Sequence, residues 1–147
     1  MPREFKKILC GTDFTEHSYL GLDYALRFAK LSDGLLIVAH FVHVPSGDVY
    51  TDEAWPSTFQ EAKDKAQTLL AQVHGTRLQA YPKTELVVEI GVPAERIIQL
   101  AKQRRIDLIV TTTHGHSELA DLVLGSTAEK LIRHAPCPVF VVRQGAG

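Results

Sequence analysis

The sequence T-T-H-G-H-S-E-L-A-D-L-V-L-G-S, from Thr112 to Ser126, decides how this chain is organised. It follows the apolar run 106–110 and leads into a helix-like segment ending near His134, which predicts a strand end, a loop and a helix start. Nine residues separate Gly115 from Gly125. Backbone N–H groups at a glycine loop and at a helix N-terminus attract anions. The stretch suggests a phosphate-binding loop, although taken alone its glycines are explained more simply by a turn and a helix irregularity.

Strand-like and helix-like segments alternate along the whole chain. The apolar strands are nearly continuous, as expected when helices cover both faces of a sheet. The order β-α-β-α-β-α-β-α-β predicts a single domain, residues 1–147, with a doubly wound parallel sheet of five strands. The predicted strands are 7–12, 35–44, 83–90, 106–110 and roughly 137–143. After the first helix, the predicted helices are 57–74, 94–104 and 119–134, the last with an interruption near Gly125. Residues 45–55 form a polar loop whose conformation the sequence does not predict.

The first helix carries signals at both ends. Thr15 or Ser18 is predicted to cap its N-terminus, and Asp13 would serve if the helix begins earlier. The pair Asp33-Gly34 ends it, with the glycine suited to the C-terminal cap. Its predicted apolar stripe comprises Leu20, Tyr24, Phe28 and Leu31, with Ala25 and Ala29 beside it.

Composition excludes several classes of function. With a net charge of −1, the chain lacks the excess positive charge that favours binding to nucleic acid or to an anionic membrane. No apolar run approaches bilayer length, and the N-terminus lacks a secretory h-region, so we expect a cytoplasmic protein. The two cysteines, Cys10 and Cys137, lie in or beside apolar runs and are expected to be reduced, buried thiols.

The last strand predicts how the chain assembles. Pro138 cannot donate to a strand ladder, which favours an edge position or the first residue of a strand. Yet the next four residues are a bare apolar run, and exposed apolar edges are normally protected or paired with another chain. We therefore expect a homodimer formed through this strand, residues Val139, Phe140, Val141 and Val142.

Ligands of open parallel sheets bind beyond the carboxyl ends of the strands, where the strand order reverses. The loops 11–15 and 112–126 both follow predicted strands, and they share one crevice if the first and fourth strands are neighbours. No G-x4-G-K-[ST] motif is present, so no P-loop lysine is available. Without an evident cation, a triphosphate would need Mg²⁺ or Mn²⁺. No residue is an obvious base for activating water, so efficient catalysis is not predicted.

The chain resembles the universal stress protein family over its whole length. The resemblance rests on G-T-D-F-T-E-H-S, on G-V-P-A-E-R-I, and on the block from T-H-G-H-S to P-V-F-V-V-R. It implies an adenine nucleotide alpha hydrolase-like fold with strand order 3-2-1-4-5, a dimer through the last strands, and a role in stress response. Nucleotide-binding members carry the pattern G-x2-G-x9-G-[ST]. Laid on this sequence, the pattern places Thr112 where its first glycine stands.

The resemblance also implies the binding residues. Thr12 and Asp13 are expected against adenine and ribose, and Phe41 in the adenine pocket. An alternative role for Asp13 is to cap the first helix. Backbone amides would hold the phosphates, with His114 and His116 near them and the Ser126 hydroxyl as a further donor. The expected binding residues are Thr12, Asp13, Phe41, Thr112, His114, Gly115, Gly125, Ser126 and Thr127.

Three functions follow from these features. The first is a regulatory module that binds ATP, or alternatively ADP or AMP. The second is a stress-linked dimerisation or interaction module that binds no nucleotide, which Thr112 favours slightly because a β-branched residue resists positive φ. The third is a slow ATP hydrolase that uses Asp13 or a loop histidine. A metal cluster joining His40 and His43 to the loop histidines has no further support, and no metal-ligating residues are expected.

Overall fold

The computed structural model describes residues 4–43, 57–113 and 124–143. Its strands are β1 (Lys7–Gly11), β2 (Leu35–Val42), β3 (Thr84–Ile90), β4 (Leu108–Thr112) and β5 (Val139–Val142). Its helices are α1 (Glu16–Ser32), α2 (Ser57–Gly75), α3 (Pro93–Gln103) and α4 (Ser126–His134). No helix within these residues is long and apolar enough to cross a bilayer. The predicted loop 45–55 falls outside them.

The five strands form one parallel sheet in the order β3-β2-β1-β4-β5, which confirms the predicted topology. β1 lies at the centre, where Leu9 pairs with Ile37 of β2 on one side and with Ile109 of β4 on the other. β2 and β3 extend the sheet in one direction, and β4 and β5 extend it in the other. The strand order therefore reverses between β1 and β4.

Both faces of the sheet are buried, as the continuous apolar strands predict. Side chains alternate in direction along a strand, so Leu9 packs on one face while Ile8 and Cys10 pack on the other. The face of Ile8 packs against α1 and α2, and the face of Leu9 packs against α3 and α4. The first core comprises Ile8, Cys10, Leu22, Leu26, Leu36, Val38, Leu70 and Val110, among others, and the second Leu9, Ile37, Phe41, Ile97, Ile109 and Leu131, among others.

Only one of the two cysteines is a buried thiol. Cys10 lies in the α1-side core, and its burial raises the pKa of the thiol from 9.0 to about 12 because the thiolate would be poorly solvated there. Its thiol is therefore protonated and unreactive at neutral pH. Cys137 is only half-buried, so the prediction of two buried thiols is wrong for this residue.

The C-terminus of α1 differs from the prediction. The left-handed residue is Asp33, with φ 53° and ψ 41°, rather than Gly34. The Lys83 ammonium lies 2.8 Å from the Asp33 carboxylate, and this ion pair lowers the pKa of Asp33. Leu31 was predicted to face the core but is 81% exposed. The helix instead buries an adjacent face, which comprises Ser18, Gly21, Leu22, Ala25, Leu26 and Ala29.

The segment around the opening stretch also has different boundaries. β4 begins two residues later than predicted and continues through Thr112, which pairs with Val142 of β5. Ile106 is buried but lies in the turn after α3, where its N–H donates to Ala101 O. α4 begins at Ser126, and Leu124 and Gly125 are not helical, which agrees with the predicted interruption near Gly125; the predicted helical residues 119–123 lie outside the described residues.

Candidate functional site

The carboxyl ends of β1 and β4 lie side by side, because Cys10 pairs with Val110 near the end of both strands. The predicted proximity of the two loops that follow these strands is therefore confirmed at their starting points. The crevice lies where the strand order reverses, which is the usual ligand position in open parallel sheets. Thr12 and Asp13 lie on one side of it, and Thr112 and Thr113 lie on the other.

Thr113 joins four elements at this crevice. Its N–H donates to Val142 O of β5 at 3.0 Å, and its carbonyl accepts from Gly125 N at 2.6 Å. Its hydroxyl lies 3.3 Å from His17 Nε2, in the first turn of α1. The N-terminal ends of α1 and α4 are thus both fixed to the residue that follows β4. Each of these two helix N-termini contributes partial positive charge on its side of the crevice.

The N-terminus of α4 is capped by Gly125, whose φ of −65° and ψ of 159° are extended. The Gly125 carbonyl accepts the Glu129 N–H at 3.0 Å and so begins the helix. A glycine has no side-chain acceptor for the first-turn amides, unlike a serine or aspartate cap. The Gly125 N–H is already held by Thr113 O, so Ser126 and Thr127 present the first-turn backbone N–H groups of this nine-residue helix, with the Ser126 side chain exposed.

The turn between β1 and α1 is built around Asp13. Thr15 is the N-cap of α1, as one of the three alternatives predicted, and its hydroxyl accepts the Ser18 N–H at 3.2 Å. Asp13 Oδ1 accepts from Thr15 N at 3.1 Å and from Thr15 Oγ1 at 2.5 Å. Asp13 therefore supports the helix cap without being the cap residue.

Thr12 is buried below this turn. Its hydroxyl lies 2.8 Å from Ser18 Oγ and accepts the Phe14 N–H at 3.0 Å. Its own N–H donates to Ala39 O of β2 at 2.9 Å. The side chain is only 7% exposed, so it shapes the turn from beneath. Any contact of Thr12 with a ligand would therefore come mainly from its backbone.

Thr112 belongs to β4 and has an extended backbone. The concern that a β-branched residue resists positive φ does not apply to this conformation. Its methyl group is directed at α1, where a Cβ added to Gly21 would lie 3.0 Å from Thr112 Cγ2. Gly21 thus provides the space into which the threonine side chain turns.

Phe41 lies near the end of β2 with its side chain in the α3-side core, 6% exposed. The Phe41 ring is therefore part of the core between the sheet and α3. His114 and Gly115, with His116, lie outside the described residues. The structure therefore groups Thr12 and Asp13 just after β1, and Thr112 with Gly125, Ser126 and Thr127 on the β4 side.

Two further groups belong to this site but were not predicted as binding residues. His40 contacts Thr12 and Phe14, and His17 contacts Thr113. The sequence contained a signal for His40, a polar residue near the end of an otherwise apolar strand. It contained none for His17, because only tertiary packing brings the first turn of α1 to the end of β4.

The charged and metal-binding groups near the crevice are few. The Lys130 ammonium is directed at Glu95 of α3, 4.0 Å from its carboxylate, and half of the side chain is exposed. Within residues 4–43, 57–113 and 124–143, no three His, Cys, Asp or Glu side chains form a cluster able to hold a metal. Binding chemistry in the described part of the crevice therefore relies on backbone N–H groups, hydroxyls and Asp13.

Comparison with known proteins identifies the family. The family model described as "Universal stress protein family" matches residues 4–143. A universal stress protein of Methanocaldococcus jannaschii, MJ0531, is 31% identical over 141 residues, which cover 95% of this chain and 83% of the relative. The chain belongs to the universal stress protein family.

Solved structures of the family share the fold. The universal stress protein UspA from Lactobacillus plantarum superposes with a TM-score of 0.81 at 25% identity, covering 96% of this chain and 99% of the other. A universal stress protein in complex with cAMP has a TM-score of 0.70 at 22% identity, with 97% and 100% covered. The Archaeoglobus fulgidus protein in complex with dAMP has a TM-score of 0.62 at 20% identity, with 96% and 100% covered. These structures place the chain in the nucleotide alpha hydrolase-like fold.

Proposed function

We propose that this universal stress protein binds an adenine nucleotide, ATP in the first place and ADP or AMP as alternatives, and acts as a homodimeric regulatory module. The observation that carries the proposal is the convergence of the α1 and α4 N-termini on Thr113. Two helix N-termini at a sheet switch point favour a phosphate-bearing ligand. The cAMP and dAMP complexes of relatives with the same fold support the choice of adenine.

The proposed division of labour follows from the geometry. Amides of Ser126 and Thr127 bind phosphate oxygens, with the Ser126 hydroxyl as a further donor, and Gly125, whose N–H is held by Thr113 O, leaves room for the phosphates beside them. Asp13 holds Thr15 through Oδ1 and, in the proposed complex, its carboxylate also accepts a hydrogen bond from ribose or base. Of the predicted loop residues, His114 and Gly115 remain proposed phosphate contacts.

The geometry of Thr112 supports nucleotide binding over the interaction module. Its extended backbone needs no glycine, and its methyl group turns towards Gly21. The threonine therefore keeps its methyl group out of the crevice. A requirement for positive φ therefore does not stand against a ligand at Thr112.

Binding rather than turnover is the proposed activity. A bound triphosphate carries Mg²⁺ or Mn²⁺ through its own oxygens and water, since the described residues supply no cluster of carboxylates for the ion. A metal at this site neutralises phosphate charge. No described residue is positioned as an evident base for water, so the nucleotide serves as a signal, in keeping with the family's link to stress.

The homodimer is proposed through β5. This strand lies at the sheet edge, and β4 is the one described strand that pairs with it. Val139, Phe140 and Val141 are half-buried, so a second copy would cover apolar area that is now partly exposed. Thr113 connects this edge to the crevice through Val142, which gives the nucleotide a route to influence the dimer.

The first experiment asks whether nucleotide is bound at all. The protein is purified without added ligand and denatured, the released small molecules are analysed, and Mg-ATP is titrated into ligand-free protein by calorimetry. Binding of ATP supports the proposal. A clean blank together with no heat of binding overturns it, and a dimer that binds no nucleotide would then be the interaction module.

The second experiment tests the phosphate contacts with Gly125→Val. Valine accepts the extended conformation of this residue, so the change adds bulk without backbone strain. Charge-assisted hydrogen bonds contribute roughly 1.5–3 kcal/mol each, so we expect Mg-ATP affinity to fall at least about tenfold.

Gly75→Val is the matched control for this variant. A Cβ at Gly75 meets nothing within 4 Å, and this residue ends α2, away from the crevice. The control should bind Mg-ATP like the wild type. Equal affinity of Gly125→Val and wild type would show that the start of α4 does not hold phosphate.

A further inference from the structure

His40 lies near the carboxyl end of β2, on the α1 side of the sheet. Its neighbours Ala39 and Phe41 both belong to the α3-side core, and side-chain alternation directs His40 to the opposite face. The ring is half-buried, and the strand around it is otherwise apolar. Two contacts of the His40 ring explain why a polar side chain occupies this position.

The first contact is with the carbonyl of Thr12. His40 Nδ1 lies 2.8 Å from Thr12 O, and a carbonyl can only accept, so the ring donates from Nδ1. This hydrogen bond fixes the tautomer of the neutral ring with the proton on Nδ1. The Thr12 N–H donates to Ala39 O. Consecutive residues of β2 therefore hold both polar groups of the Thr12 backbone.

The second contact is with the ring of Phe14. The ring centroids of His40 and Phe14 are 4.6 Å apart, with an angle of 37° between the planes. Phe14 has a φ of 65°, a left-handed conformation that is unfavourable for a non-glycine residue. Such a conformation persists only where surrounding contacts enforce it. The His40 ring and the hydrogen bond from Phe14 N to Thr12 Oγ1 are two of those contacts.

His40 thus holds the residues on both sides of Asp13. We propose that His40 is the positioning residue of the nucleotide site: by fixing Thr12 and Phe14 it sets the direction of Asp13 before any ligand arrives. The inference rests on the proposed function. It adds a residue that acts through its neighbours, and Asp13 remains the group that contacts the nucleotide.

The test uses two amide substitutions that imitate different ring nitrogens. In His40→Asn the amide nitrogen reaches the position of Nδ1 and can still donate to Thr12 O. In His40→Gln it reaches the position of Nε2 and leaves Thr12 O without its donor. His40→Ala removes both nitrogens and the ring contact with Phe14. His43→Gln, an exposed histidine three residues further along, is the control.

Positioning through Thr12 predicts a specific order of Mg-ATP affinities. His40→Asn should remain within about threefold of wild type, whereas His40→Gln and His40→Ala should weaken binding at least about tenfold, the equivalent of one lost hydrogen bond. If His40→Gln kept the wild-type affinity for Mg-ATP while His40→Asn lost it, Nε2 would contact the ligand directly, and the proposal would be overturned. Wild-type affinity in all three variants overturns it as well. If the substitutions acted only by destabilising the fold, His40→Asn and His40→Gln would both have a lower thermal midpoint and would lose affinity equally, which also overturns the proposal.

A second readout separates this inference from the proposed function. Amide hydrogen exchange of Thr12, Phe14 and Thr15 is measured without nucleotide. His40→Ala should raise their exchange rates at least about tenfold, and His40→Asn should leave Thr12 and Thr15 protected. Absence of nucleotide binding in the wild type would remove the proposed function and, with it, the binding role of His40. Unchanged exchange in His40→Ala would remove the positioning role even if ATP binds.

Discussion

Residue 34 must be a glycine because there is no room for a Cβ atom there, and not because its φ is positive. The left-handed conformation at the end of α1 belongs to Asp33, so Gly34 is not needed for a positive φ. A Cβ at Gly34 would lie 2.5 Å from the carbonyl oxygen of Lys6 and 2.7 Å from Ser32 Oγ. The Gly34 backbone is held by Ala29 O and by the Tyr81 hydroxyl, which leaves it little freedom to move away.

Gly34→Ala should therefore destabilise the fold. The new methyl group must displace backbone, and overpacking of this kind costs roughly 1–3 kcal/mol. The measurement is the free energy of unfolding in urea.

Gly75→Ala is the comparison for this change, because a Cβ there meets nothing within 4 Å. Alanine favours helix over glycine, so this variant should be neutral or more stable by up to about 1 kcal/mol. Equal stabilities of the Gly34 and Gly75 variants would contradict the close approach between Gly34 and Lys6.

Leu31 shows that helical spacing alone does not identify which residues of a helix are buried. It lies at helical spacing from Phe28 and Tyr24, yet it is 81% exposed. Tyr24 and Phe28 pack against Phe140, at centroid distances of 5.5 and 5.0 Å, so the stripe that contains Leu31 reaches the rim of the core. Spacing identifies residues that share a helix face, and the rotation of the helix on the sheet decides which face is central.

At the scale of the element, α1 begins with a connected set of hydrogen bonds. Thr15 accepts from Ser18 N and donates to Asp13, while the Ser18 hydroxyl contacts Thr12 and Thr15 O. The cap residue could be predicted from its type. The connection of the cap to Asp13 and Thr12 could not, because hydroxyl orientation depends on the final turn geometry.

Thr15→Ala should cost roughly 1 kcal/mol of stability, the usual contribution of an N-cap side chain. It also removes the hydroxyl that donates to Asp13 Oδ1, so the turn should lose amide protection at Ser18. Urea unfolding and hydrogen exchange measure the two effects.

Thr68→Ala is the matched control, since Thr68 lies on the exposed face of α2 and its hydroxyl donates to Asp64 O of the same helix. Surface changes of this kind are usually within about 0.5 kcal/mol of wild type. A Thr15 variant as stable as the Thr68 variant would refute the capping role.

The boundaries of β4 and α4 were harder to predict than their existence. The apolar run 106–110 coincides with the buried side chains of this segment. The strand itself runs from 108 to 112, because Thr112 still pairs with Val142. Burial is a property of the side chain and strand pairing is a property of the backbone. A threonine run that continues a strand is therefore invisible to a hydrophobicity pattern.

At the scale of the whole molecule, the two sheet edges differ. On β3, the Glu85 and Glu89 side chains are paired with Arg104 and Arg96 of the neighbouring α3 side. The Arg104 guanidinium donates to Glu85 and holds the pKa of this carboxyl below its usual range. On β5 the corresponding positions are apolar. Charged residues discourage strand addition at an edge, so the proposed dimer uses β5 rather than β3.

Val141→Lys should convert the proposed dimer to a monomer. A two-fold pairing of β5 strands brings the new ammonium close to its symmetry copy, and like charges across a strand pair are destabilising. Light scattering coupled to gel filtration measures the mass.

Leu86→Lys on β3 is the control, because this residue is on the opposite edge and already 36% exposed. It should leave the mass unchanged. A Val141→Lys protein that keeps the wild-type mass of a dimer would refute pairing through β5, and a wild-type monomer would refute the dimer itself.

The fold class and the edge position of β5 could be predicted from the amino-acid sequence, the strand order followed from family resemblance, and the cap of α1 was narrowed to three residues. These features depend on local composition and on the order of apolar segments, which are written along the chain. The tertiary structure alone decided that Thr112 is extended, that its methyl group turns to Gly21, and that α1 and α4 meet at Thr113. It also decided that His40 holds both neighbours of Asp13. These contacts join residues up to 96 positions apart, His17 and Thr113 among them, and only packing brings such residues together.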